Sequence, residues 1–547
     1  MIDKVRMYDN MKRLVGVPGV SGTPAEKETA YKIQELLLEI PYFQQHREKV
    51  KLVPVADDSL GRSIVTAYLQ CCPESRKTVI LTGHYDVVDV EEYGNLKGIA
   101  YNTEEITRRI GELPLDEDSL RDLESGEWIF GRGTADMKFG HALCLELLRY
   151  FSEEGRETLC GNLLYAAVCG EETNSEGMLQ AVPFFNQFAE ETGAEYEALL
   201  LTECYMPEDQ AGDSRRYVHM GASGKVMPMF FCAGEASHGG EPFLGIDPNL
   251  IAARIYEKLH MNVDFCQNSC GEVTPPPVCL KSQDLKTVYS VSTPLYAVSY
   301  YNLVTVDLEP EALMESLCRI AEESFKEALG FIEEKSRVYE KRFGVRPARC
   351  SIEPSVKSFR QLYREAEAAF EGDLSGYLKA LTEEWRSENT ELQDIAVRLV
   401  KRLYELSPDK RPAVIVSIIP PYYPDVYPDR KSEKGSRLAR CVDEIIAYAE
   451  ETYGETLEWK DYYMGISDLS YTGLDEDKDF SGLFENVAGA GLIYSLPEAD
   501  LKKFYVPAIV LGGSGKDFHK YTERLERRYN FDILPDLYIR LIEKLLD

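Results

Sequence analysis

The sequence predicts an α/β chain in which one domain, built on a central mixed sheet, is interrupted by an inserted α+β domain with extra helices. Three observations predict it. Several short apolar runs, read as buried strands, each end on a histidine or an acid. These chemistry-bearing ends run from residue 84 to 203 and resume only at 519, so a large insertion separates two parts of one domain. The text in between reads as strand, helix, strand and helix, then as a helical stretch. A chain of 547 residues is also too long for a single core.

In chain order, Met11 to Thr23 leads into a helix-like stretch from Ala25 to Glu39. Residues 78–82 (TVILT) form a buried-strand candidate that delivers Gly83-His84-Tyr85-Asp86. At a period of two, His84 and Asp86 share a face, where Asp86 can hold the imidazole in one tautomer for metal binding. Trp128-Ile129-Phe130 is strand-like, and Phe139 to Tyr150 reads as an amphipathic helix. Asp136 therefore sits on the glycine-rich turn Gly131-Arg132-Gly133-Thr134-Ala135-Asp136-Met137-Lys138, placed to bridge two cations. Asn162 to Cys169 is another buried strand, followed by Gly170-Glu171-Glu172. Adjacent acids repel unless one binds a cation and the other faces a proton donor. Ala198 to Thr202 leads to Glu203, and Ala508 to Gly513 leads to His519.

The insertion begins with strand-like residues 217–232, followed by a helix over 247–262, a strand over 294–306 and a helix over 310–329. From 356 to 407 apolar residues recur at helical spacing, as in Leu374, Leu378, Leu381 and Trp385, or Leu392, Ile395, Leu399 and Leu403. Residues 413–419 (AVIVSII) return to strand before Pro420-Pro421 breaks it. The expected division is a catalytic domain over 1–215 and 411–547, an inserted α+β domain over 216–355, and a helical elaboration over 356–410.

Five strand ends delivering histidines and acids match the rule that open α/β sheets place their sites at the carboxyl edges of the strands. Histidine and carboxylate ligands without cysteine suit zinc, cobalt or manganese. Their number implies two ions, with one bridging carboxylate and one histidine and one acid for each. The net charge of −32, from 93 acids against 61 bases, disfavours nucleic acid or an anionic membrane as a partner. No apolar span reaches membrane length, and the early charges Asp3, Lys4 and Arg6 precede no signal-like core. Thirteen scattered cysteines without a Cys-x-x-Cys spacing read as reduced thiols, so a cytoplasmic protein is expected.

With His84-x-Asp86, Gly131-Arg132-Gly133-x-x-Asp136-x-Lys138, Glu171-Glu172, Glu203 and His519-x-x-x-Glu523 in this order, the chain resembles the aminoacylase, succinyl-diaminopimelate desuccinylase and peptidase T-like family of co-catalytic zinc metallopeptidases. The resemblance spans the chain and is greatest to the arginine-utilisation branch. It implies a zinc-peptidase-like catalytic domain with an inserted lid. His84 and Glu203 would bind one metal ion, Glu172 and His519 the other, and Asp136 would bridge them. Glu171 would be the general base acting on a metal-bridged hydroxide, with Asp86 orienting His84. A second match, Gly234-Glu235-Ala236-Ser237-His238-Gly239-Gly240, places His238 on the lid as an oxyanion stabiliser, often across a dimer interface in such proteins. Two departures stand out. Where many relatives carry a carboxylate-binding arginine, this chain has Tyr300-Tyr301-Asn302, and a neutral residue cannot make the bidentate contact. The family's Thr-Asp glycine motif becomes Gly465-Ile466-Ser467-Asp468, where Asp468 reads either as a pocket residue or as a cap.

The expected activity is cleavage of an amide bond in a small peptide or N-acyl amino acid, in arginine or ornithine catabolism. An aminopeptidase of the related zinc clan and a catalytically silent binding protein are the alternatives. His238 speaks against the first, because the usual compact form lacks the lid, and the complete ligand set speaks against the second. Monomer and homodimer both remain open at this point.

Overall fold

The computed structural model describes residues 2–154, 159–205, 215–348, 351–388 and 390–547. The chain forms two compact units. The first comprises Met1–Ala222, Val426–Leu474 and Pro497–Asp547, and the second comprises Ser223–Asp425 and Asp475–Leu496.

The first unit is built on an eight-stranded mixed sheet. In chain order its strands are β1 (Val50–Pro54), β2 (Ser63–Leu69), β3 (Lys77–His84), β4 (Asn162–Val168), β5 (Glu195–Leu201), β6 (Arg216–Ala222), β7 (Leu457–Tyr463) and β8 (Ala508–Val510). Their order across the sheet is β1-β2-β4-β3-β5-β8-β6-β7. The four neighbours β4, β3, β5 and β8 run parallel, in registers that pair His84 with Val168, Thr82 with Leu201 and Ile509 with Leu200. Parallel strands are covered on both faces, which is why β3, β4 and β5 read as unbroken apolar runs rather than alternating ones. Helices Lys4–Val15, Glu26–Leu38, Phe139–Glu153, Glu433–Tyr453 and Leu534–Leu546 contribute to one apolar cluster with the sheet. Burial of that cluster is the main stabilising term.

In the second unit, strands Val278–Asp284, Tyr296–Thr305, Pro228–Ala233, Ala413–Ile418 and Val356–Ser358 lie side by side in that order, and Gly224–Val226 pairs with Tyr296–Thr305. The unit carries helices Pro248–Leu259, Pro310–Phe343, Phe359–Ala369, Leu374–Ser387 and Leu392–Leu406.

Three expectations are corrected. The strand expected over 217–232 is three pieces, 216–222, 224–226 and 228–233, because the chain passes between units at Ser223 and Pro228 has no N–H with which to continue a ladder. Strand Ala413–Ile418 lies between Pro228–Ala233 and Val356–Ser358, so residues 411–425 group with the insertion rather than with the catalytic domain. The helix expected to stop at 329 continues to Phe343, carried by surface pairs such as Glu322–Lys326 and Glu333–Arg337 until Gly344 ends it at φ 69°. Trp128–Phe130 is a strand, as expected, and belongs to a separate three-stranded sheet with Gly515–Lys516 and Arg524–Glu526. That small sheet sets the Asp136 turn beside the His519 loop. Among the described residues no helix is long and apolar enough to cross a membrane.

Candidate metal centre

Because β4, β3, β5 and β8 are parallel neighbours, their carboxyl ends open on one edge of the sheet. His84 is the last residue of β3, while Glu171 and Glu172 follow β4, Glu203 follows β5 and the His519 loop follows β8. Asp136 comes from the turn before helix Phe139–Glu153. Two glycines allow this turn to approach. A Cβ on Gly83 would stand 2.1 Å from Met137 Cε, and Gly133 adopts φ 75°.

The donor atoms converge in two groups, His84 with Asp136 and Glu203, and Asp136 with Glu172 and His519, the ligand atoms of each lying within 4.8 Å of one another. His84 Nε2 is 3.0 Å from Asp136 Oδ1, and His519 Nε2 is 3.2 Å from Asp136 Oδ2 and 3.0 Å from Glu172 Oε2. His84 Nε2 and Asp136 Oδ1 are buried and make no hydrogen bond despite their proximity. Close, buried and unpartnered, they are disposed as ligands to one cation are. Two nitrogen and carboxylate-oxygen donor sets sharing one carboxylate fit a pair of divalent ions of the zinc, cobalt or manganese type.

Electrostatics agree. Burial pushes Glu203 up to about 8, with Asp136 and Asp468 adding to the shift. Burial likewise raises Glu171 well above the usual carboxylate range, assisted by Glu203, Asp468 and Glu172, and it raises Glu172. Asp136 and Glu172 lift His519 to about 10. Burial opposes the charged form of Asp136, but His519 and His84 outweigh it and hold that carboxylate low. A buried group of acids that resist ionisation is a site waiting for positive charge.

The surroundings fix these ligands. His84 Nδ1 lies 3.1 Å from the backbone oxygen of Asp86 and 3.6 Å from its Oδ1. The Asp86 carboxylate itself accepts the backbone N–H groups of Glu171 and Glu172, both at 3.2 Å. Asp86 thus ties the two-acid loop to the β3 end, while the hydrogen bond to the His84 ring goes to its backbone oxygen rather than to the carboxylate expected from the spacing. Ser467 Oγ donates to Glu203 Oε2 at 3.0 Å and accepts Leu469 N–H, so Ser467 rather than Asp468 caps the turn Asp468–Tyr471. Lys138 Nζ donates to the carbonyls of Val17 and Pro18, which binds the opening motif to the Asp136 turn.

Two parts of the site carried no role in the sequence reading. Arg132 Nη1 pairs with Glu523 Oε2 at 2.6 Å and Nη2 donates to the His519 carbonyl at 2.9 Å, while Glu523 Oε1 accepts the N–H groups of Ala135 and Asp136 at 3.2 and 3.3 Å. This buried pair joins the bridging turn to the His519 loop. Likewise, His141 Nε2 meets the His84 carbonyl at 2.6 Å and its Nδ1 meets Tyr165 Oη at 2.8 Å. Burial lowers His141 to about 3, so the ring is neutral and serves as a strut. A histidine inside an otherwise apolar helix face was the available signal.

Glu523→Gln is expected to leave the fold intact but weaken metal binding about 10–100-fold, as loss of an outer partner of a ligand does. Competition with a chromophoric chelator measures this, and unchanged affinity at both positions would refute the role. His238 lies in the second unit, exposed, in the loop after Pro228–Ala233, with Gly240 N–H donating to its Nδ1 at 3.0 Å. Asn302 lies in strand Tyr296–Thr305, paired with Val278 on the outermost strand.

Residues 80–380, more than half of the chain, match the model of peptidase family M20/M25/M40. The chain is 36% identical over 538 residues to protein YqjN of Bacillus subtilis, covering 97% of this chain and 95% of that protein. It is 32% identical over 526 residues to protein RocB of the same organism, covering 95% and 92%. Its fold is similar to that of the YXEP protein of Bacillus subtilis, described as a dinuclear metal binding peptidase, with TM-score 0.51, 12% identity and coverage of 99% and 98%. The convergent donor sets and these matches make the chain a metallopeptidase-type hydrolase: it belongs to peptidase family M20/M25/M40.

Proposed function

We propose that this protein hydrolyses an amide bond in a small peptide or N-acyl amino acid, with two divalent ions, zinc foremost, held by His84, Asp136, Glu203, Glu172 and His519. The observation that carries this reading is the pair of donor sets sharing Asp136 with Glu171 beside them, its Oε2 4.0 Å from His84 Nε2. When bound, the ions supply Lewis acidity toward the amide carbonyl and an acidified water. Glu171 takes a proton from the water and passes it to the leaving amine. Asp86 holds Glu171 at the site through its backbone N–H. The family resemblance gives His238 the part of an oxyanion donor.

Several finer assignments belong to the same reading. The resemblance to the arginine-utilisation branch, together with 32% identity to RocB, supports a place in arginine or ornithine catabolism. The scattered cysteines support a cytoplasmic setting. The outermost strand Val278–Asp284, with Leu280 exposed, offers an edge through which a homodimer can form.

Elemental analysis of the purified protein, with hydrolysis of a panel of dipeptides and N-acyl amino acids, tests the proposal. Two equivalents of metal with chelator-sensitive cleavage support it. Absence of metal after reconstitution would remove the hydrolase reading.

A further inference from the structure

Asp468 stands in the turn that Ser467 latches onto Glu203, and it is a ligand in neither donor group. It is 1% exposed, and neither of its carboxylate oxygens accepts a hydrogen bond. Its charged neighbours at the metal centre are His84, which favours its ionisation as the Ser175 hydroxyl does, and Asp86, Glu171 and Glu203, which oppose it. Burying a carboxylate without a partner is costly, and more so beside other carboxylates.

Charge counting makes the imbalance concrete. Asp86, Asp136, Glu171, Glu172, Glu203 and Asp468 bring six carboxylates to one buried site. Two divalent ions offset four of those charges. Asp86 is further met by two backbone N–H groups and by His84. Glu171, also outside both donor groups, is taken up by the proton transfer, which leaves Asp468 as the carboxylate with no assigned role.

The geometry points to Asp468 as the anchor for an organic cation on the substrate, an ammonium or guanidinium group that enters the site with the scissile amide and pairs with the free carboxylate. This deepens the hydrolase reading above and rests on it for the identity of the site. Substrates would then be amides carrying a positive charge near the bond that is cut, and the acidic balance of the whole chain would favour their approach.

Two arms separate the sources of the charge. Ala-Ala against N-acetyl-Ala-Ala varies the ammonium, and Nα-acetyl-arginine against Nα-acetyl-citrulline varies the guanidinium at nearly constant shape. The metal-loaded wild-type protein is expected to favour the charged member of at least one pair by about 30-fold or more in kcat/KM, the scale of a buried charge pair. Asp468→Asn should abolish that preference while keeping two equivalents of metal.

Calorimetric titration with arginine and citrulline, and with alanine amide and N-acetyl-alanine amide, reads the same preference without turnover. A wild-type protein that binds charged and neutral members equally overturns the inference, whether or not Asp468→Asn folds. A preference that survives Asp468→Asn unchanged overturns it as well. A charge preference in binding without cleavage of any panel member would instead count against the hydrolase reading and leave the cation anchor standing.

Discussion

Glu171→Gln protein is expected to retain two equivalents of divalent metal and to lose turnover by about 10²–10⁴-fold, the usual contribution of a positioned general base. The two halves of this expectation come from different features. Metal should stay because Glu171 contributes to neither donor group, so the substitution removes no ligand. Its backbone N–H still reaches Asp86, so the loop that carries Glu172 keeps its anchor. Turnover should fall because Glu171 is the buried acid beside His84 that holds no ligand position and is free to move a proton. Glutamine preserves size and burial while removing that capacity. The loss should therefore appear in kcat with little change in KM. Elemental analysis and steady-state kinetics on the same preparation check both halves. Loss of metal would make Glu171 a ligand, and unchanged kcat would transfer the proton to another group.

The residues legible in the sequence are those whose role follows from their position at a strand end. His84, Glu171, Glu172 and Glu203 each end or follow an apolar run, and parallel neighbouring strands bring such ends to one edge whatever the rest of the chain does. The clamp between Arg132 and Glu523 was visible as motif letters but not as a contact, because its partners are 391 residues apart. The His141 strut joins positions 57 residues apart, and a polar ring within an apolar helix face gives no hint of which carbonyl it meets. Domain limits failed for a related reason. Ala413–Ile418 is as apolar as β3, and composition does not say which of two sheets an apolar strand completes. The outer half of helix Pro310–Phe343 was missed because exposed helix carries no hydrophobic period.

Asp136→Ala should be the most damaging single change at the site. Asp136 gives one oxygen to each donor group, Oδ1 beside His84 and Oδ2 beside His519, so its removal leaves two protein donors where each ion had three. It also removes the negative charge lying between two dications, whose mutual repulsion would then be screened less. Both effects act on both ions together. Affinity should thus fall by more than the 10–100-fold expected for Glu523→Gln, which disturbs only the setting of the ligands. Dialysis against a weak chelator followed by elemental analysis should find both ions released or bound in scrambled, substoichiometric amounts, with activity lost alongside them. Asp136→Asn is the informative companion, because one oxygen remains while the bridging charge is gone. Retention of a single ion in that variant would show that each carboxylate oxygen serves its own donor group. Full occupancy of two ions in Asp136→Ala would sink the bridging role, since the remaining donors would then suffice for both ions without a shared ligand.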